Sequence, residues 1–449
     1  MIFTRSPFRI AALVLLVGLF ASNVYRAATQ SIVHDEGLTW VEYLAGPAAD
    51  IFHHYDANNH FLATILFKIS TTLFGDSEFA LRLPTVLAGA WFFWTVFRMC
   101  SLLFGGGWLF LIGCAALTLN PILLDFLVAA RGYGLAMAGL FWGLYQMLAW
   151  LDEDSRGVAD VRLQQRLWKA ATGCCIAVAA NLTFLMPVLV LAAAFSALLL
   201  RKPEIKGTPV SPSPANIRKK NKKSKSKIAA QPAPRLARLI HFVVPIIVLA
   251  VAFLIAAPID LAHTSDFYAG AGTALASWRS LIQVSFAYGD AAGLLQIERV
   301  WNNFALYFFP LAVLAALFEG AMSMRRAPAP LGLAASLSSL ALVASAILLV
   351  AAHLATGIPY PEDRTGIYFV PLATLSALCL ARIIFERPGW PHRIGLALAA
   401  VLLSFAVEFA AQWNVKSFWV GVTMRTAKES STSSKRPRSR PIWRLNKSD

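Results

Sequence analysis

Residues 31–60, SIVHDEGLTWVEYLAGPAADIFHHYDANNH, gather Asp35, Glu36, Glu42, Asp50, Asp56 and four of the eight histidines into one short polar stretch. Asp35 and Glu36 directly follow the first apolar run, which sets both carboxylates at a water interface. A carboxylate there takes the proton of an acceptor hydroxyl, the work of a general base. The plainer reading is an acid pair marking where an apolar helix meets water. His34 reads as a lone hydrogen-bonding imidazole, and Asn59 and His60, closing the stretch, as candidate substrate contacts. His53, His54 and His60 raise a metal, but no ligand spacing recurs. A divalent metal is left open without support from spacing, and no cofactor is assigned.

Arg131, in AARGYG, and Arg364, in PYPEDRTGIYF, both stand at the ends of apolar runs. Guanidinium is planar, always charged and forked to match phosphate, so two from different helices suit one phosphate ester. The competing readings are a snorkelling arginine or local ion pairs, Arg131 with Asp125 and Arg364 with Glu362. Tyr133 and Glu362 flank the two arginines as further candidate contacts, although Tyr133 and Tyr368 also fit an interfacial aromatic belt.

The elements that must position these residues are apolar. Hydrophobic residues make up 57% of the 449, charged residues 14%, and the mean hydropathy is +0.60, far too apolar for a soluble chain of this length. The sequence reads as an all-α polytopic membrane protein. The formal charge of +16 lies between apolar runs, so membrane orientation accounts for it and no nucleic-acid partner is expected. Cys100, Cys114, Cys174, Cys175 and Cys379 lie in or beside apolar runs with neither metal nor disulfide spacing, and read as small apolar residues.

Arg5 and Arg9 precede an apolar run from Ile10 to about Ala21, a pattern shared by a first span and a cleaved signal peptide. Either reading puts the following loop, residues 29–82, outside. Within it, FLATILFKISTTLF (61–74) makes only about 21 Å of helix, whereas a crossing takes roughly 20 residues. With Lys68 inside, it is expected to lie on the outer surface. A second span is expected from about Pro84 to Cys100. Residues 108–150 read as two spans joined near Asn120, Pro121, Asp125 and Arg131, because unpaired charge at the bilayer centre is costly. Residues 168–200 read as two short spans hinged near Asn181 to Pro187.

Residues 201–238 hold twelve Lys or Arg against the single acid Glu204, the mark of a disordered cytoplasmic loop. Beyond it come a span at about 239–258, a polar outer loop at 259–300, and spans near 301–319, 331–355, 367–385 and 394–411. The total is about eleven, with the amino terminus inside. Residues 1–412 form one transmembrane unit, and 413–449 a basic tail expected to be disordered. Parity puts that tail outside, against the positive-inside bias.

The combination of HDE after the first span, NNHFLATIL, LFGDSEFALRLPTVLAG, Asn120-Pro121, ARGYGLAMA and EDRTGIYFVPL resembles the polytopic glycosyltransferases of the GT-C fold. That family uses dolichyl- or undecaprenyl-phosphate sugars and includes protein mannosyltransferases and aminoarabinose–lipid A transferases. The resemblance covers most of residues 1–412. It implies a GT-C-like bundle of about eleven helices, with juxtamembrane helices in the first outer loop roofing a site on the outer face of a bacterial inner membrane. Asp35 would be the first-loop acid that acts as base or orients the acceptor, with Glu36 its neighbour. Arg131 and Arg364 would hold the phosphate of the polyprenyl-linked donor. The acceptor would be a glycan, lipid or protein. Several relatives continue into a folded extracytoplasmic domain, which this basic tail does not form. The rival readings are a lipid-linked sugar transporter or flippase, and a lipid-linked oligosaccharide polymerase or ligase.

Overall fold

The computed structural model describes residues 6–53, 56, 58–201, 235–257, 270–286, 297–415 and 418. Most of the basic loop 201–238, much of the 259–300 loop, His54 and nearly all of the tail therefore lie outside the described residues. Among the described residues the chain is helical throughout, with one isolated bridge between Ala271 and Tyr360. Among the described residues nine helices are long and apolar enough to cross a membrane, which makes this a polytopic helical membrane protein. They are α1 (Pro7–Thr29), α4 (Glu78–Phe104), α7 (Gly132–Ser155), α9 (Leu185–Leu200, extended by the turn Leu182–Phe184), α10 (Arg235–Ala256), α12 (Ile297–Arg326), α13 (Pro330–Thr356), α14 (Phe369–Phe385) and α15 (Trp390–Ala411). Shorter helices lie between them: α2 (His34–Thr39), α3 (Phe61–Phe74), α5 (Trp108–Thr118), α6 (Pro121–Phe126), α8 (Asp160–Ala180) and α11 (Ala274–Phe286).

Helix α3 occupies the residues the apolar run predicts, and Lys68 within it donates to the carbonyls of Leu44 and Gly46, 2.7 Å each. The cation thus caps the turn Trp40–Leu44 and leaves the apolar face of α3 uninterrupted. The hinge expected at Asn181 is also present, where α8 ends and the Asn181 side chain accepts from Thr183 N at 3.0 Å. Two boundaries differ from expectation. Helix α4 begins at Glu78, not near Pro84, because the Ser77 hydroxyl caps it by accepting from Ala80 N. Proline inside a helix strands the carbonyl four residues back. Here that carbonyl is Ala80 O, and Ser70 Oγ of α3 donates to it at 2.5 Å. The run from Trp108 also departs from one full span: α5 stops at Thr118, and Asn120 with Pro121 starts the separate helix α6.

Helices α7 and α14 are almost wholly buried and form the centre, whereas α10 is mostly exposed on the outside of the bundle. Helices α7 and α8 meet backbone to backbone. A Cβ on Gly173 would lie 2.7 Å from Gly143 N and 2.8 Å from Gly139 O, so only glycine permits this crossing. Contacts such as Ser6 with Gly106, Trp108 with Phe385 and Arg166 with Glu153 mark one end of the bundle. Gln30, Asp35, Ala130 and Arg364 gather at the other. Gly173→Val is expected to force α7 and α8 apart and lose at least the ~1–3 kcal/mol typical of overpacking. A lowered melting temperature and poor monodispersity in detergent check it, and an unchanged melting temperature would contradict the close crossing.

Candidate active site

The site is built on a buried ion pair that sequence reasoning did not assign. Where α1 ends at Gln30 the chain becomes extended, then turns into α2 with Glu36 in its first turn. Glu36 reaches back to accept from Val33 N at 3.0 Å, the returning half of a capping box. Its carboxylate also receives Arg82 in a fork, Nε to Oε1 at 2.9 Å and Nη2 to Oε2 at 2.6 Å, and Ala130 N at 2.6 Å. Arg82 in turn donates to the carbonyls of Gln30 (2.5 Å), Ser31 (3.0 Å) and Ala27 (3.4 Å), which the end of α1 leaves without helical partners. Both side chains are completely enclosed. Burial alone pushes the Glu36 carboxyl up, but Arg82 and the N–H groups of Ala130 and Val33 outweigh it and hold the carboxyl below its ordinary value of 4.5. Glu36 is therefore enclosed and committed to these partners, and it fixes the turn of α2 that carries Asp35.

Asp35, the next residue back, faces the opposite way. Its Oδ2 lies 2.8 Å from Arg364 Nη2 and 3.7 Å from Arg131 Nη1, with the carboxylate side chain 16% exposed. The two arginines named from sequence thus converge on the acid named from sequence. Asp125 pairs with Arg26 of α1 inside the bundle, and Arg364 turns from Glu362 to Asp35.

Arg131 is the extended residue that starts α7, and its side chain is buried. A Cβ on the following Gly132 would stand 1.9 Å from Ala180 O and 2.7 Å from His60 Cβ, so glycine is what lets α7 start against the end of α8. Tyr133 is then enclosed between the rings of His60 (5.2 Å) and Phe126 (4.8 Å), a packing role. Arg131 Nη1 also donates to Asn58 Oδ1 at 2.8 Å. The neighbouring Asn59 is buried and donates to Ile51 O, and both backbone N–H groups are held by Asp56 Oδ1 at 2.8 Å. Of this pair it is Asn58 that accepts from Arg131, a contact that adjacency to Asn59 hid.

Arg364 rides on the turn Asp363–Gly366, with Glu362 exposed at its start. Asp363 takes a left-handed backbone, φ +48°, rare for a residue other than glycine. Ser280 of α11 holds it there, accepting from Asp363 N at 2.9 Å and donating to its carboxylate. Ser277 of α11 donates to Pro361 O beside it. The segment expected as a polar loop thus carries a helix that aims Arg364.

His34 is exposed beside the pair, whereas His60 is buried. Burial, then the charges of Arg131 and Arg364, hold the His60 imidazole well below its ordinary 6.5, so it is neutral, and Nε2 has no hydrogen-bond partner among the described residues. No group of three or more His, Cys, Asp or Glu among the described residues is placed to hold a metal. An apolar cavity of about 370 Å³ opens against Tyr360 and Pro361, which precede the turn of Arg364, and is lined by Trp278, Leu281, Phe309, Ile347 and Phe369. Together these groups offer a carboxylate, two anion-binding forks and an apolar trough.

Removing one partner of a buried pair leaves an uncompensated charge, so Arg82→Ala and Glu36→Ala are each expected to cost about 3–5 kcal/mol. The double variant should cost much less than their sum. A carboxyl held low in the folded state contributes stability that is present above 4.5 and lost as pH falls through its folded value. Denaturation of the four proteins in detergent across pH 3–7 measures both effects, and additive losses would contradict the pairing. No family model and no curated protein matches this chain.

Proposed function

We infer that the protein is a membrane glycosyltransferase that moves a sugar from a polyprenyl-phosphate donor to a glycan, lipid or protein acceptor. The observation that carries the reading is Asp35 set between Arg131 and Arg364 at one end of an apolar bundle. The acceptor oxygen forms the new bond to the anomeric carbon while the carbon–oxygen bond to the donor phosphate breaks. The electron pair of that bond leaves with the lipid phosphate. Arg131 and Arg364 stabilise the charge that develops there. The acceptor's proton passes to Asp35, and attack of the acceptor from the face opposite the leaving phosphate would invert the product. The apolar trough against Tyr360 and Pro361, in the segment that leads to Arg364, suits a polyprenyl chain.

In the same reading α5 with α6, and α8, complete the nine long helices to eleven crossings. Every basic stretch but the tail then falls on the inner side, and residues 29–82 roof the site on the outer face of a bacterial inner membrane. Deleting the gene in its host and comparing surface glycolipids and glycoproteins by mass spectrometry tests the function. Loss of one sugar substituent, restored by the wild-type gene, is expected. An unchanged profile under conditions where the protein is expressed would overturn the transferase reading.

A further inference from the structure

Helix α11 serves both the turn of Arg364 and the apolar cavity. Ser280 Oγ accepts from Asp363 N at 2.9 Å and donates to the Asp363 carboxylate, and Ser277 Oγ donates to Pro361 O. Just before the helix, Ala271 and Tyr360 exchange both backbone hydrogen bonds, 3.0 Å each. A Cβ on Gly366 would lie 2.5 Å from Leu281 Cδ2, so the glycine admits that leucine against the backbone that follows Arg364. The segment 360–366 is thus fastened to α11 and the residues before it along its whole length. Ser277, Trp278 and Leu281 also line the cavity of about 370 Å³, as do Tyr360 and Pro361. The residues that fasten the turn are therefore in large part residues of the cavity wall.

Asp363 keeps a left-handed backbone, φ +48°, uncommon for a residue with a side chain, so the turn depends on what grips it from outside. Arg364 comes next, its side chain 32% exposed, and takes its direction toward Asp35 from that turn. Side chains that line a cavity lack neighbours on that side, and an occupant supplies them. Leu314 of α12 and Ile347 of α13 line the cavity and are also exposed on the outside of the bundle, at 55% and 63%. The cavity therefore opens sideways among residues that face lipid, where an apolar chain enters without leaving the bilayer.

We propose that α11 couples the cavity to Arg364: an apolar chain seated against Trp278 and Leu281 braces the helix, and the braced helix sets Arg364 for the phosphate at the head of the same lipid. That the chain is polyprenyl rests on the transferase reading; the coupling rests on the contacts of α11. Binding energy from the remote chain is thereby realised at the charged end of the site. Ser280 is a positioning residue in this scheme, acting on the ligand only through Arg364.

Two probes with the same phosphate and different chains, farnesyl monophosphate and dimethylallyl monophosphate, test the coupling by calorimetric titration of the full-length protein in nanodiscs. Arg364→Lys should cost more affinity for the farnesyl probe than for the dimethylallyl probe, because only the longer chain braces α11. The difference is expected to be about fivefold or more, the low end of ordinary coupling between sites. It should vanish in the Ser280→Ala background and persist in Ser280→Thr, which keeps the hydroxyl. Ser277→Ala gives the same readout should Ser280→Ala fail to fold. An equal cost of Arg364→Lys for both probes overturns the coupling and leaves the transferase reading standing. A difference that survives in both Ser280→Ala and Ser277→Ala overturns the route through α11. Failure of the wild-type protein to bind either probe overturns the coupling and the transferase reading together.

Discussion

The pair of Glu36 with Arg82 is the constraint on which the rest of the site depends. Taking both ions out of water is expensive, and attraction between them repays it only when the remaining donors and acceptors are also used. Here they are. Glu36 accepts four hydrogen bonds, and Arg82 serves three carbonyls at the end of α1 as well as the carboxylate. The pair thereby ties the exit of α1, the first turn of α2, the start of α4 and the turn before α7 into one knot. Because Asp35 precedes Glu36 on a short helix, fixing Glu36 inward turns Asp35 toward the two arginines.

A second buried pair, Arg26 with Asp125, sits close by, and Phe418 lies 5.0 Å from the guanidinium carbons of both Arg26 and Arg82. The chain after α15 thus returns across the end of α1, where Gln30 Nε2 donates to Val415 O at 2.9 Å and Gln412 donates to Phe286 O at 2.8 Å. Residues 415 and 418 therefore lie at the site end of the bundle, where the parity of the helices puts them. An aromatic face over two buried cations offers favourable electrostatics where water is excluded. The start of the tail belongs to the architecture that orients Asp35.

Much of this was legible in the sequence because it is local or compositional. The apolar runs gave the helices, the length of FLATILFKISTTLF gave α3, and a charge-bearing interruption gave the turn at 119–131. The convergence of Arg131 and Arg364 followed from both standing at ends of apolar runs on the same side. What stayed hidden was non-local. Arg82 lies 46 residues from Glu36, and an arginine four residues into an apolar helix reads as a snorkelling cation, not as the partner of a first-loop acid. The role of Ser280 needs the fold, since only there does α11 meet the turn that carries Arg364. Asn58 and Asn59 have the same side chain, and only the turn made by Asp56 decides which one faces Arg131.

In the proposed transfer a carboxylate, two anion-binding forks and an apolar trough would act together, with Asp35 as the group on which transfer turns. The most direct measurement is sugar transfer from a labelled polyprenyl-phosphate donor by wild-type and Asp35→Asn protein in proteoliposomes. Loss of a general base lowers rates by ~10² to 10⁴, so transfer should collapse by about that factor while the protein remains folded. Full transfer by Asp35→Asn would contradict the account.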